Sequence, residues 1–238
     1  MRYRAVIFDM DGTILDTAGD LADALNHALK KAGHRHDFTV EDAKHFFGSG
    51  VQVAIKRALA LEAGMTHAQL VDIGTRAEIL PEGITGEVIG EIQKIYEPYY
   101  ASHCAIKTGP YPGIVTLLKR LRAAGIMTAV VSNKPDEAVQ ILTEEQFPGL
   151  FDLAVGLRTT VRRKPAPDVT LKAVEELGIS VEDAVYIGDS EIDLQTAANA
   201  GMDCISVDWG FRGAAFLADH GAKKIVSRAE EIFAASLT

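Results

Sequence analysis

Apolar residues fall into two patterns along the chain. Short unbroken runs recur: Val6-Ile7-Phe8, Met127-Thr128-Ala129-Val130-Val131, Leu153-Ala154-Val155, Ala184-Val185-Tyr186-Ile187, Cys204-Ile205-Ser206-Val207 and Lys224-Ile225-Val226. Runs without a polar alternation suit strands covered on both faces. Between them the apolar positions take helical spacing. Val115, Leu117, Leu118 and Leu121 predict a helix from Gly113 to Ala124, stopped by Gly125. Pro135 opens a second through Phe147, in a first-turn position where its missing N–H costs nothing. Pro167 and Asp168 open a third that ends at Gly178, and Ser190 a fourth that ends near Gly201. Strand and helix in alternation predict a parallel sheet with helices on both faces.

The rhythm breaks between Asp16 and about Thr108, where no convincing strand occurs. Helical spacing there covers residues 16–32, 40–46, 51–61, 67–80 and 87–104. A structureless excursion of this size inside an α/β fold is implausible. The fold class is therefore α/β: a Rossmann-like parallel-sheet core (1–15 and 108–238) with an inserted all-helical domain (16–107). The insert leaves just after the first strand and returns before the second. Loops beyond the carboxyl ends of such strands flank the ligand crevice, so the insert is placed to cover what binds there.

Composition narrows the partners. Of 238 residues, 47% are hydrophobic and 24% charged, as in ordinary globular proteins. A net charge of -9 offers no basic footprint for nucleic acid. An acidic protein that handles phosphate needs a bound cation or a few well-placed Lys or Arg. Cys104 and Cys204 lie far apart without a CxxC pattern, which suits reduced thiols in an intracellular setting. Asp9 cuts the first apolar stretch too short for a signal peptide, and no run approaches a membrane span. A cytoplasmic location is expected, with monomer and homodimer both open.

Polar groups gather where the predicted strands end. Asp9, Asp11, Gly12 and Thr13 follow the first, and Ser132, Asn133 and Lys134 the second. Lys164-Pro165 lies after the third, and Gly188-Asp189-Ser190-Glu191-Ile192-Asp193 after the fourth. Each has a plainer reading: an Asp-Gly turn, a helix cap before Pro135, a solvated loop charge, a cap with an acid favouring the helix's positive end. All four plain readings would have to hold at once, each beyond a parallel strand.

In this order the residues resemble the haloacid dehalogenase superfamily, phosphatase branch. DMDGT is similar to its first motif, SN to its second, KP to its third and GDSEID to its fourth. The likeness spans the α/β core, and the insert stands where that family carries a helical cap. The resemblance implies that Asp9 is a nucleophile forming an aspartyl-phosphate, and that Asp11 protonates the leaving alkoxide and then activates water. Residues two apart in extended chain face the same way, which lets both carboxylates approach one phosphate. Gly12 lets the backbone turn and Thr13 offers a hydroxyl to phosphate. Ser132 and the Asn133 backbone would bind the phosphoryl group, and Lys164 would balance its charge and steady Asp9. Magnesium, which takes oxygen ligands, would be held by Asp9, Asp189 and the Asp11 carbonyl. Asp193 would orient these from behind, with Glu191 a weaker, solvent-exposed candidate and Asp168 a helix cap.

Asp11 stands where the dehalogenase branch needs no acid, which disfavours that branch. A phosphonate-cleaving enzyme would need a Schiff-base lysine in the cap, where Lys30, Lys31, Lys44 and Lys56 read as solvated. Gly48, Ser49 and Gly50 interrupt two cap helices; they could present backbone N–H groups to an anion, or form an ordinary turn. Lys44, His45, Lys56 and Arg57 are options for a substrate carboxylate. Tyr111-Pro112-Gly113, Ser132-Asn133-Lys134-Pro135, Arg163-Lys164-Pro165-Ala166-Pro167-Asp168 and Asp208-Trp209-Gly210-Phe211-Arg212 resemble the phosphoglycolate phosphatase group, although Trp209 could equally be packing. The resemblance thus implies a magnesium-dependent phosphatase of small phosphorylated metabolites, with 2-phosphoglycolate the foremost substrate. A sugar-phosphate phosphatase, a pyrophosphatase, a phosphoglucomutase-type mutase and a non-catalytic phosphometabolite-binding module remain alternatives.

Overall fold

The first apolar run forms β1 (Ala5–Phe8), and all four of its residues are fully buried. The computed structural model describes residues 2–75, 78–158 and 161–237. Two strands of two residues follow β1 in the chain, β2 (Leu15–Asp16) and β3 (Gly109–Pro110). The remaining strands are β4 (Met127–Pro135), β5 (Leu153–Leu157), β6 (Ala184–Gly188), β7 (Asp203–Val207) and β8 (Ile225–Val226). One sheet has the order β5-β4-β1-β6-β7-β8, with every pairing parallel. β1 pairs with β4 on one side and β6 on the other, so the chain reverses its direction of growth across the sheet at β1. The carboxyl ends of these three strands therefore flank a topological switch point, where open α/β sheets bind ligands.

The chain separates into two compact units, Met1–Asp16 with Gly109–Thr238, and Thr17–Thr108. β2 and β3 pair antiparallel at the two ends of the intervening segment, Leu15 against Pro110 and Asp16 against Gly109. Two residues are too few to show a strand period, which is why sequence pattern does not reveal them.

Thr17–Thr108 is helical: α1 (Ala18–Lys31), α2 (Val40–Phe46), α3 (Val51–Glu62), α4 (His67–Leu70) and α5 (Gly86–His103). Asp20 on α1 is buried, and its carboxylate accepts the N–H groups of Lys107 and Thr108 and the Thr108 hydroxyl, at 2.8–3.0 Å. Thr39 and Asp42 form a reciprocal capping box at the start of α2. The expected helix over 67–80 is cut to α4. Beyond it, side chains serve the backbone groups that a further helical turn would use. Arg57 donates to the Ile73 carbonyl at 3.0 Å, and Glu78 accepts the Gly74 N–H at 2.8 Å while pairing with Lys56 at 2.6 Å. Residues 76 and 77 of that expected helix lie outside the described residues.

In the sheet-bearing unit the helices are α6 (Ile114–Ala123), α7 (Asp136–Gln146), α8 (Asp168–Glu176), α9 (Glu191–Ala200), α10 (Ala214–Asp219) and α11 (Ala229–Leu237). One face of the sheet, with Ala5, Ile7, Ala129, Val131 and Tyr186, packs on Val169, Ala173 and Val174 of α8 and Ala197 and Ala200 of α9. Phe8 meets Phe151 edge-on at 6.2 Å. Burial on both faces explains the unbroken apolar runs. The second strand, expected to end at Val131, continues to Pro135, and its pairing with β5 shifts register between Val131 and Pro135. Among the described residues, no helix is long and apolar enough to cross a membrane.

Candidate active site

β1 delivers Asp9 into a buried position, 8% exposed, one residue beyond the strand. The turn that follows is tight: the Met10 carbonyl receives the N–H groups of Thr13, Ile14 and Leu15. Gly12 sits at φ +81°, and a Cβ there would run into the Asp189 carboxylate. A Cβ on Gly210 would strike the Gly12 carbonyl and Asp189. Both positions exclude any side chain, because the first motif and the loop after β7 each bring backbone against the Asp189 carboxylate.

Lys164 reaches this site from the loop before α8 with 3% exposure. Its Nζ lies 2.8 Å from Asp9 Oδ1, 2.9 Å from Asp193 Oδ1 and 3.0 Å from Tyr186 Oη. The approach to Asp9 is short but off the hydrogen-bonding direction, since buried Asp9 Oδ1 accepts no hydrogen bond. The contact is an ion pair rather than a directed bond. Although burial opposes its charge, the Asp193 and Asp9 carboxylates hold Lys164 protonated well above the usual lysine range. Burial pushes Asp9 up to about 7, with Lys164 pulling the other way and Asp193 adding to the rise. Asp189 is raised well above the carboxylate range by burial, then by Asp193 and Asp9.

Asp189 follows β6. Its Oδ1 accepts the Thr13 hydroxyl at 3.1 Å and its Oδ2 the Phe211 N–H at 2.6 Å. Thr13, expected to offer its hydroxyl to phosphate, is fully buried and gives that proton to Asp189 instead. Asp193 is wholly occupied. Oδ2 accepts the Asp189 N–H, the Ser190 N–H and the Ser190 hydroxyl, while Oδ1 takes Lys164 and the Tyr186 hydroxyl. It therefore caps α9 and steadies Lys164 with the same carboxylate.

The β4 end contributes three residues. Ser132, 3% exposed, accepts the Lys134 N–H at 3.2 Å. Asn133 clamps the Lys164 backbone with its side-chain amide, donating to the carbonyl at 3.2 Å and accepting the N–H at 2.8 Å. Sequence pattern assigned Asn133 a backbone role alone, because a link over 31 residues leaves no local trace. Lys134 was missed as a site residue: its side chain is 2% exposed and its Nζ lies 3.0 Å from Asp11 Oδ1. The available signal was spacing, since Ser132 and Lys134 stand two apart at a strand end just as Asp9 and Asp11 do.

Several further expectations change. Glu191 is not solvent-exposed; it is 8% exposed and pairs with buried Arg212 at 3.2 Å. Asp168 is the first residue of α8 rather than its cap, and accepts both Nε and Nη2 of Arg162 at 3.0 Å. Trp209 donates from Nε1 to the Thr13 carbonyl at 3.1 Å, so it binds the fifth-strand loop to the first motif. Gly48, Ser49 and Gly50 connect α2 to α3 in the helical unit, with Ser49 buried and Gly50 as the cap of α3. Arg57, an option for a substrate carboxylate, is 2% exposed and donates to the carbonyls of His45, Phe46 and Ile73. It serves the carboxyl end of α2. Lys44 pairs with Glu41 at 3.2 Å.

The cluster fits a divalent cation by three observations. Carboxylate oxygens of Asp9, Asp189 and Asp193 lie within 4.8 Å of one another. Asp9 Oδ1 and Asp11 Oδ1 are buried without a hydrogen bond. With all four ionised, Asp9, Asp11, Asp189 and Asp193 face two ammoniums, Lys134 and Lys164, leaving two negative charges that a divalent ion would cancel. Asp193 takes five contacts on its two oxygens, whereas each Asp189 oxygen accepts one hydrogen bond and Asp9 Oδ1 none, so Asp9 and Asp189 are the side chains better placed to bind such an ion.

Known proteins share this arrangement of sequence and fold. The profile of the haloacid dehalogenase-like hydrolase family matches residues 6–207. A phosphoglycolate phosphatase of Pseudomonas putida is 31% identical over 87% of this chain and 70% of its own length. One from Agrobacterium fabrum is 35% identical over 86% of this chain and 80% of its own. A crystal structure from Lactobacillus delbrueckii subsp. bulgaricus, provisionally assigned as a phosphoglycolate phosphatase, is 58% identical with a TM-score of 0.97, covering 99% of each chain.

Proposed function

The chain belongs to the haloacid dehalogenase-like hydrolase family, and from that membership we propose that it is a phosphatase of small phosphorylated metabolites acting through Asp9, with 2-phosphoglycolate as its substrate. The observation that carries the reading is convergence. Asp9, Asp11, Lys164 and Asp189 come from three separated stretches; contacts of 2.6–3.1 Å through Thr13, Phe211, Lys164 and Asp193 tie in Asp9, Lys164 and Asp189, and Asp11 meets Lys134 at 3.0 Å. The substrate rests on the relatives named above, two of which are phosphoglycolate phosphatases.

Asp9 attacks phosphorus and the bond to the leaving oxygen breaks. Asp11 gives that oxygen its proton, leaving an aspartyl-phosphate on Asp9. Asp11, now a carboxylate, takes a proton from water, which attacks phosphorus and returns Asp9 with release of phosphate. Lys164, held by Asp193 and Tyr186, keeps Asp9 in place while its charge offsets the phosphoryl oxygens. Ser132, buried at the β4 end, keeps its O–H for a phosphoryl oxygen while its Oγ accepts the Lys134 N–H. Asp9, Asp189 and the Asp11 carbonyl would hold magnesium, which when bound draws negative charge from the phosphoryl group and from the surplus carboxylates. A binding module would have no use for Asp11, since no proton moves on binding.

A panel of phosphoesters assayed with and without magnesium tests the reading. Phosphate release should require magnesium, and 2-phosphoglycolate should show the highest kcat/KM. A higher rank for sugar phosphates or nucleotides would overturn the substrate. Phosphoryl return to a second sugar hydroxyl, in place of release, would make the protein a mutase.

A further inference from the structure

Lys134 is a buried cation at the strand ends that the steps above leave without a task. An ammonium is costly to bury unless paired. Here the pair is specific: Nζ stands 3.0 Å from Asp11 Oδ1 with the lysine side chain 2% exposed. Asp11 Oδ1 is sealed from solvent, yet the Asp11 side chain as a whole is 19% exposed. The carboxylate thus shows the ammonium one oxygen and turns its remaining surface outward.

The backbone is shaped to put Lys134 there. The register of β4 against β5 shifts between Val131 and Pro135, an irregularity of the kind that re-aims side chains beside active sites. The Lys134 N–H is tied to Ser132 Oγ at 3.2 Å. On the β5 side, a Cβ on Gly156 would meet the Lys134 carbonyl at 2.7 Å, and the Gly156 N–H is bound by Asp136 at 2.8 Å. Strand extension, bulge and close glycine approach together hold the residue.

We propose that Lys134 is the positioning residue for proton transfer by Asp11: its ammonium engages Oδ1 and turns Oδ2 outward, so that Oδ2 faces the leaving oxygen. This rests on the reading of Asp11 as the acid. As the P–O bond breaks, its electron pair goes to the leaving oxygen, which takes the proton from Oδ2, while Asp9 forms the new bond to phosphorus. Lys134 exchanges no proton.

The test compares leaving groups, with kcat/KM reporting events up to cleavage. Three magnesium-dependent reactions are followed: 2-phosphoglycolate, glycerol 2-phosphate and 4-nitrophenyl phosphate, whose leaving group needs no proton. Lys134→Met should lower kcat/KM about 100-fold for both alkyl esters, the scale of a lost proton transfer, and change the aryl ester little. Lys134→Arg, which keeps a cation, should recover most of the alkyl rate. In an Asp11→Asn background, Lys134→Met should cause no further loss. Equal loss on aryl and alkyl esters, or additive loss in the Asp11→Asn background, would overturn the proposal. So would a loss confined to 2-phosphoglycolate, which would assign Lys134 to the substrate carboxylate. If Lys134→Met does not fold, the double variant, which removes both members of the Lys134–Asp11 pair, is compared with Asp11→Asn alone, and a lower alkyl rate sinks the idea. A wild-type protein that cleaves none of the three esters sinks the phosphatase reading and this one together. An active wild type with any of the adverse patterns sinks this one alone.

Discussion

In the proposed reaction Asp9 is the nucleophile, and the site holds it while doing little to satisfy it. Its Oδ1 has an ammonium at 2.8 Å but accepts no hydrogen bond, and burial favours its neutral form. Asp9→Asn keeps the shape and removes the nucleophile, so phosphate release should fall to background while circular dichroism and thermal unfolding stay those of a folded protein. Unchanged turnover would rule out Asp9 as the nucleophile. At a distance from the site, buried Tyr3 donates to Asp203 Oδ2 at 2.6 Å. Burial, and then Asp203, push its phenol from 10.0 up to about 12. The folded chain thus binds the phenolic proton more tightly than the unfolded one. That contribution is fully present below pH 10 and is lost as pH rises from 10 through about 12. Tyr3→Phe should lower neutral-pH stability by about 1 kcal/mol and flatten this alkaline loss, as read by urea unfolding across pH.

The segments between elements depend on side chains more than on propensity. Asp20 on α1 holds the N–H groups of Lys107 and Thr108, which follow α5 by several residues. Asp20→Ala would orphan two backbone donors and a hydroxyl, at a cost of about 3 kcal/mol. Hydrogen exchange at the Lys107 and Thr108 amides should accelerate; unaltered exchange would show that the carboxylate does not hold them. Elements of ten residues or more were legible within one or two residues: 16–32 against Ala18–Lys31, and Pro135–Phe147 against Asp136–Gln146. The expected 67–80 helix was not: Arg57, from outside the segment, takes the Ile73 carbonyl, and Glu78, within it, takes the Gly74 N–H. α10 and α11 also went unforeseen, the former being only six residues long.

For the whole molecule, charge balance favours a divalent cation. A net charge of -9 with a surplus of two carboxylates at the strand ends makes a divalent cation the natural complement. Magnesium at about 100 times its Kd should stabilise the fold by about 2.7 kcal/mol, seen as a thermal shift without substrate. Asp189→Asn should abolish that shift, and chelation should stop phosphate release; a shift that persists in the variant would place the ion elsewhere. The sequence alone determined where the charged groups fall along the chain, because strands buried on both faces leave charged residues to their ends and to the loops beyond. The Asp9-Asp11 pair, Lys164 and Asp189 were picked out there by their order and their resemblance to the family's motifs. Tertiary structure alone decided what each group touches: Thr13 on Asp189, Asn133 on the Lys164 backbone, Glu191 on Arg212 and Lys134 on Asp11. Three of these contacts span 21 to 176 residues and the fourth joins two strand ends. A hydrogen bond or ion pair depends on distance in space, and no local period in a chain records it.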